Sequence, residues 1–156
     1  MEMGVPPRPY RDTASRRHNI ELHERVIDAV NAREVPVEIL APDFHMVNRA
    51  SAVTDYTYHG ATGWQDWMDD IFEEFVAGAR YDMEEIVAEA EDCVVASFRI
   101  AGLSSLSRRP LEFRWTGVTW FRDGKATRAA GYATLGEALE AAGIGSGEDR
   151  LLARGR

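Results

Sequence analysis

The stretch from Cys93 to Ala133 constrains this chain more than any other. It holds three strand-like segments in succession, CVVASFRIA, LEFRWTGVTWF and KATRAAGYA, the first two rich in β-branched and aromatic residues. Gly102–Pro110 joins the first two. Arg122-Asp123-Gly124 joins the last two, where glycine supplies positive φ without steric cost. Strands this close in sequence pair antiparallel with their neighbours. The segment therefore predicts a meander, and the rest of the chain must cover one of its faces.

The upstream sequence supplies the cover. A first helix is predicted over 15–33, with Ile20, Ile27 and Val30, joined by Leu22 and Val26, as its apolar stripe. His18 and His23 lie on this helix and read as solvated or boundary residues, because no second metal-type ligand stands at i+4 from either. Val35–Leu40 reads as a short second helix stopped by Ala41-Pro42. Phe44 to Asn48 reads as a short strand in which Phe44, Met46 and Asn48 share a face. Asn48 there either hydrogen-bonds nearby backbone or points into a polar cavity. The clearest helix is Thr62–Ala77, with Trp64, Trp67, Met68, Ile71, Phe72, Phe75 and Val76 on one side and five carboxylates on the other. Gly78 ends it. Tyr81–Ala90 is an acid-rich strand near a sheet edge. Thr134 and Glu137 form a capping box that starts a last short helix, Leu135–Ala142. The order of elements predicts an α+β domain with helices on one sheet face.

At 156 residues the chain has room for one domain with a real core. Residues 1–14 read as a flexible N-terminal arm, 15–144 as the folded domain and 145–156 as a flexible C-terminal tail. A net charge of −8 argues against a nucleic-acid or anionic-membrane partner. Cys93 is the only cysteine, so an internal disulfide is excluded and a cytoplasmic setting is expected. No metal-ligand or cofactor-binding spacing is present, and neither a metal nor a cofactor is expected.

Five segments in this order resemble the SnoaL-like branch of the nuclear transport factor 2-like superfamily across residues 15–144. They are Asn31-Ala32-Arg33-Glu34, the run from Tyr58 to Trp64, Asp92-Cys93-Val94-Val95, Arg122-Asp123-Gly124-Lys125 and the run from Glu137 to Gly143. The resemblance implies a cone-shaped barrel, a curved antiparallel sheet wrapped around a long helix. It leaves the reaction open, because the fold hosts isomerases, cyclases, dehydratases, epoxide hydrolases and non-catalytic binders.

Functional positions of such families transfer poorly. Ketosteroid-isomerising relatives place a carboxylate base where this chain has Asn48, a protonated acid near Gly117 and a tyrosine at Val26. An amide cannot shuttle the proton, and glycine has no group to donate. Limonene-type epoxide hydrolases place an Asn and an Arg where Asn48 and Arg99 stand, but Ala101 and Gly131 occupy the positions of their aspartates. Polyketide cyclases place an acid near Gly131. The catalytic residues are therefore unassigned.

On this resemblance Arg99 faces the interior together with Val95, Ser97 and Ala101, opposite Phe113, Trp115 and Gly117. Arg99 then meets a ligand or pairs with a structural carboxylate, since an unpaired buried charge is costly. A two-residue Asp-Gly turn would send Arg128 and Tyr132 inward; a three-residue turn with Gly124 at a bulge would send Thr127, Ala129, Gly131 and Ala133 inward. The second is preferred, because small residues opposite Trp115 leave room for a ligand. The function expected is a small-molecule-binding protein whose apolar cavity, ordered by Asn48, Tyr58, Arg99 and Trp115, takes a small hydrophobic molecule. An alternative is an isomerase, cyclase or lyase using His45, His59 and Tyr56. A third is an interaction module whose cone is plugged by Trp64, Trp67 and Trp115. A homodimer is expected through the outer sheet face, where Glu112, Arg114, Thr116, Val118, Trp120, Arg128 and Tyr132 would gather.

Overall fold

The computed structural model describes residues 8–48, 57–76, 78–90 and 92–144, with side chains from His18 onward except that of Asn48. The elements are α1 (Arg8–Ala32), β1 (Leu40–Asn48), β2 (Thr57–His59), α2 (Gly60–Phe72), β3 (Arg80–Glu89), β4 (Cys93–Leu103), β5 (Pro110–Arg122), β6 (Lys125–Tyr132) and α3 (Leu135–Ala142). α1 begins at Arg8 rather than Ser15 and so takes in half of the segment read as an arm. Residues 1–7 and the expected tail, 145–156, lie outside the described residues. Val35–Leu40 is a single turn and not a helix. The Pro36 carbonyl takes the amides of Ile39 and Leu40 at 2.9 and 3.2 Å, and the chain passes directly into β1.

The six strands form one sheet in the order β2-β1-β6-β5-β4-β3. Every pairing is antiparallel except β1 with β6, which run parallel, the five intervening elements bringing the chain back alongside its first strand. α2 is shorter than the spacing predicts and stops at Phe72. Its apolar side is buried all the same: Trp64, Trp67 and Met68 face the sheet, and Phe75 beyond the helix is buried against the β4–β5 connection, where it bridges Ser104.

Pleat parity sorts the strands into two faces. On β4, Val94, Ala96, Phe98 and Ile100 join the core shared with α1 and α2, while Cys93 and Val95 join a second cluster on the outer face. Their partners on β5 are Thr119, Gly117, Trp115 and Phe113 on the inner face and Trp120 and Val118 on the outer. The β5–β6 connection is the two-residue Asp123-Gly124 turn, both residues at positive φ (55° and 78°), and not the three-residue loop. Such a turn alone would send Arg128 and Tyr132 inward. A β-bulge at Thr127 reverses this: Phe121 pairs with Ala126 and Trp120 with Arg128, which leaves Thr127 unpaired. Ala126, Ala129 and Gly131 then line the inner face.

α3 lies on the outer face. Its capping box is formed, with Glu137 N–H donating to Thr134 Oγ1 at 3.2 Å and Thr134 N–H to Glu137 Oε1 at 3.3 Å. Ala138, Leu139 and Ile144 cover Val95, Val118, Ala130 and Tyr132. Val118 and Tyr132 are therefore buried within one chain and are not free for the expected dimer face.

The end of α1 is fastened to β3. Asn31 Oδ1 accepts the Tyr81 N–H at 2.9 Å, and Asn31 Nδ2 donates to the Tyr81 carbonyl at 2.6 Å. The Arg33 guanidinium lies 3.4 Å above the Phe72 ring and donates to the Ala79 carbonyl at 3.0 Å. Asn31→Ala leaves both Tyr81 backbone groups without that partner, so we expect a loss of about 2 kcal/mol. It should appear as a lower urea midpoint with an unchanged m value.

Candidate functional site

The site is a hollow in the cone, and it follows from small residues. Ala96, Gly117 and Gly131 stand in one row across β4, β5 and β6, and Asn48 of β1 pairs with Gly131 at the end of that row. The glycines project nothing into the interior. A Cβ at position 117 would lie 2.8 Å from Cε2 of Phe98, so only glycine fits beneath that ring without moving it. What remains between this floor and the two helices is a cavity of about 620 Å³, open at one end. Ligand sites of small molecules run from about 300 to 1,000 Å³.

One wall is aromatic. Tyr81 stacks on Phe98 with centroids 5.4 Å apart, meets Trp67 edge-on at 5.8 Å and lies 5.6 Å from Trp115. The aliphatic part of the lining comes from Val26, Ile27 and Val30 of α1, and β1 adds Phe44 and Met46. At the open end the Tyr58 hydroxyl donates to Asp70 Oδ2 at 2.6 Å, and Glu74 stands nearby on the rim.

Two residues of the lining carry a buried polar atom without a hydrogen-bond partner among the described residues, His23 at Nδ1 and Trp64 at Nε1. Each such atom costs about 1–3 kcal/mol when left unmet. His23 is 1% exposed and packs against Phe98 and Phe121 at ring separations of 5.5 and 6.4 Å. Burial pushes its pKa down to about 4, so the imidazole is neutral at physiological pH.

Of the expected ligand residues, Tyr58 and Trp115 line the cavity. Asn48 ends β1 opposite Gly131, and its side chain lies outside the described residues. Arg99 is not in the cavity. Phe98 and Ile100 hold the inward positions of β4, and Arg99 points to the outer face, 2.9 Å from Glu112 Oε1 and 3.7 Å from Asp82 Oδ2. The carboxylates meet its charge in solvent, which removes the reason for placing it in the cone. Ala101 shares that outer parity, opposite Glu112. The expected pairing of Asn48 with Arg99 in one cavity is thereby overturned. His45 and His59 pair across β1 and β2 with rings 6.2 Å apart, and neither lines the cavity. Tyr56 lies outside the described residues. Trp64, Trp67 and Trp115 form walls and do not plug the cone.

His23, read from the sequence as a solvated or boundary residue, is buried. The signal was present: it stands at i−3, i−4 and i−7 from Val26, Ile27 and Val30, inside the buried stripe of α1. Searching for a partner ligand at i+4 tested metal binding and not burial.

The orphaned imidazole has a pH signature. The unfolded chain takes up a proton at the ordinary 6.5 and the folded chain only at about 4. Between those values the unfolded state binds more protons, so stability falls as pH is lowered through this window and the loss is complete below it. We expect the wild type to lose about 3 kcal/mol more than His23→Phe over that range. Parallel urea titrations measure the difference, and identical pH slopes would contradict the placement of His23.

A family model described as "SnoaL-like domain" matches residues 23–129. No curated protein matches the chain. Among solved structures, TerC crystallised with polyporic acid superposes with a TM-score of 0.62 at 21% identity, covering 79% of this chain and 98% of TerC. A nuclear transport factor 2-like protein of unknown function from Mesorhizobium loti superposes at 0.58 with 19% identity, covering 76% of this chain and 92% of its own. Another, from Anabaena variabilis, superposes at 0.59 with 17% identity, covering 75% and 90%. These likenesses establish the cone fold.

Proposed function

The chain belongs to the SnoaL-like domain family, and on that premise we propose that its cone is the binding site of a small, uncharged, largely apolar molecule. The observation that carries this is the hollow itself: about 620 Å³ with a lining part aromatic and part aliphatic. With Arg99 outside, no cation among the described residues is aimed at an anionic ligand group. Arg114 touches the rim, but its guanidinium is held by Glu112 at 2.8 Å and Glu84 at 3.3 Å, and Asp70 and Glu74 share that rim. An anion would meet carboxylates first. TerC, a neighbour in fold, was crystallised with polyporic acid, which supports reading the cone as a ligand site. Glycine at positions 117 and 131 withholds acid–base groups from the floor, which favours binding over proton-transfer chemistry.

The test uses Nile red, an uncharged dye whose emission shifts to the blue in apolar surroundings. The wild type should bind it with a saturable shift. Ala129→Phe, which places a ring in the cavity, should weaken binding at least about tenfold with the circular dichroism spectrum unchanged. Equal binding by both proteins would put the dye, and the site, elsewhere.

We further propose a homodimer through the part of the outer face that α3 leaves open. Asp82, Glu84, Arg99, Glu112 and Arg114 alternate in charge there, so a two-fold axis lets each arginine meet a carboxylate of the second copy. Light scattering at micromolar concentration should report two chains; a mass near the 17.5 kDa of one chain would rule the dimer out. No helix among the described residues is long and apolar enough to cross a membrane. Cys93 is a buried free thiol whose pKa burial pushes up to about 12, an inert form that fits the reducing cytoplasm in which we place the protein.

A further inference from the structure

The outer face of the sheet carries a row of side chains that the cone does not use. His59 pairs with His45 across β2 and β1, His45 with Arg128 across β1 and β6, and Arg128 with Trp120 across β6 and β5. Cross-strand partners share a face. Here it is the outer one, because Phe44 and Met46 take the inward places on either side of His45. The two imidazole rings stand 6.2 Å apart, and the Arg128 guanidinium lies over Trp120 with Cζ 4.3 Å from the ring centroid. α3 covers the next outward pair, Val47 and Ala130, and leaves His45 and Arg128 half-buried and His59 exposed.

Arg128 differs in its company from the other arginines of this face. Arg99 and Arg114 are held by carboxylates, and Arg122 lies 3.7 Å from Asp43, the carboxylate two residues before His45. Arg128 has no ion pair and no hydrogen bond among the described residues, and the two imidazoles have no hydrogen bond there either. Stacking on Trp120 occupies one flat side of the guanidinium. Its N–H groups lie in the plane, at the edge, and stay available. A chain with 26 acidic residues thus keeps one anchored arginine clear of its own carboxylates, in line with two imidazoles.

We propose that His59, His45 and Arg128 form a site, separate from the cone, for an elongated phosphate anion of the pyrophosphate type. The guanidinium fork matches two phosphate oxygens, and each imidazole donates an N–H. The row sets the length of the ligand. Neighbouring strands lie about 4.8 Å apart, so two spacings carry the row about 10 Å from His59 to Arg128. A hydrogen bond reaches about 3 Å, so one phosphate meets part of the row and two linked phosphates meet both ends. The net charge of −8 does not forbid this, since salt screens the distant carboxylates beyond about 8 Å and leaves the local donors to decide.

Isothermal titration calorimetry of the full-length protein, in metal-free buffer at physiological pH and salt, tests the site with pyrophosphate and inorganic phosphate. Pyrophosphate should bind at least about tenfold tighter than phosphate. Arg128→Gln should weaken both at least about tenfold. His59→Gln should weaken pyrophosphate by about tenfold while phosphate, held at the Arg128 end, stays within about twofold. Adenosine diphosphate distinguishes the sources of this chemistry: tighter binding than pyrophosphate assigns the site to the diphosphate end of an organic ester, weaker binding to the free anion. Absence of pyrophosphate binding, equal affinity for pyrophosphate and phosphate, or wild-type pyrophosphate binding by either variant overturns the proposal and leaves the reading of the cone untouched. If Arg128→Gln does not fold, the wild type decides. The Arg128 Nε–H resonance must move on adding pyrophosphate and stay with sodium chloride of equal ionic strength, and a resonance that stays with both refutes the contact.

Discussion

Tyr81 ties the helices of this architecture to its sheet. Its backbone is held by Asn31 of α1, its ring edge meets Trp67 of α2, its face stacks on Phe98 of β4, and Trp115 of β5 closes the group. Four elements are thus braced against one residue, three of them through its phenol, whose pKa burial pushes far above its usual range. A hollow of this size is costly to keep, because surrounding side chains gain by collapsing into it. Wedged aromatic rings resist that collapse better than aliphatic chains, which have more ways to repack. Phe98 is held over Gly117 by Tyr81, so the ring that fills the space above the floor is also the one that keeps the wall upright.

The floor explains why the cone suits binding. Positions 117 and 131 face each other across β5 and β6 and both line the cavity. Glycine at both gives space and removes reactivity in the same stroke. The lining keeps the hydroxyl-bearing Tyr58, Tyr81 and Thr119 on the sheet and, on α1, the His23 imidazole, which is neutral at physiological pH. Charge is confined to the rim and the outer face, where Arg99 and Arg114 share Glu112 in solvent.

The fold was legible in the sequence because its signals were redundant. The meander, the α2 stripe and the capping box each had a local mechanism, and each is present. The faces were harder. In β4 the first half is apolar on both sides, since α3 covers Val95 as α2 and α1 cover Val94 and Ala96, so alternation fades where it was needed. The second half does alternate, and the plain reading, charge outward at Arg99, was correct. The resemblance to families with an inward arginine displaced it. On β6 a turn of the other length was expected, yet Ala129 and Gly131 still face inward, because Thr127 adds the residue that the turn does not. Local sequence marks Asp-Gly turns well and single-residue bulges poorly. Asn48 remained beyond reach for a different reason, since its side chain falls outside the described residues.

The bulge at Thr127 makes the cone sensitive to insertions and deletions in a way that point substitutions do not reveal. Between the Asp-Gly turn and Arg128, one residue more or fewer exchanges every inward and outward position of β6. Ala129 and Gly131 would then give way to Arg128 and Tyr132, and the hollow would be filled by a guanidinium and a phenol while α3 lost the surface it rests on. Chain length across these few residues therefore matters more to the hollow than their composition does. The β4–β5 connection, closed by Phe75 against Ser104 outside the cone floor, has far more freedom to change its length.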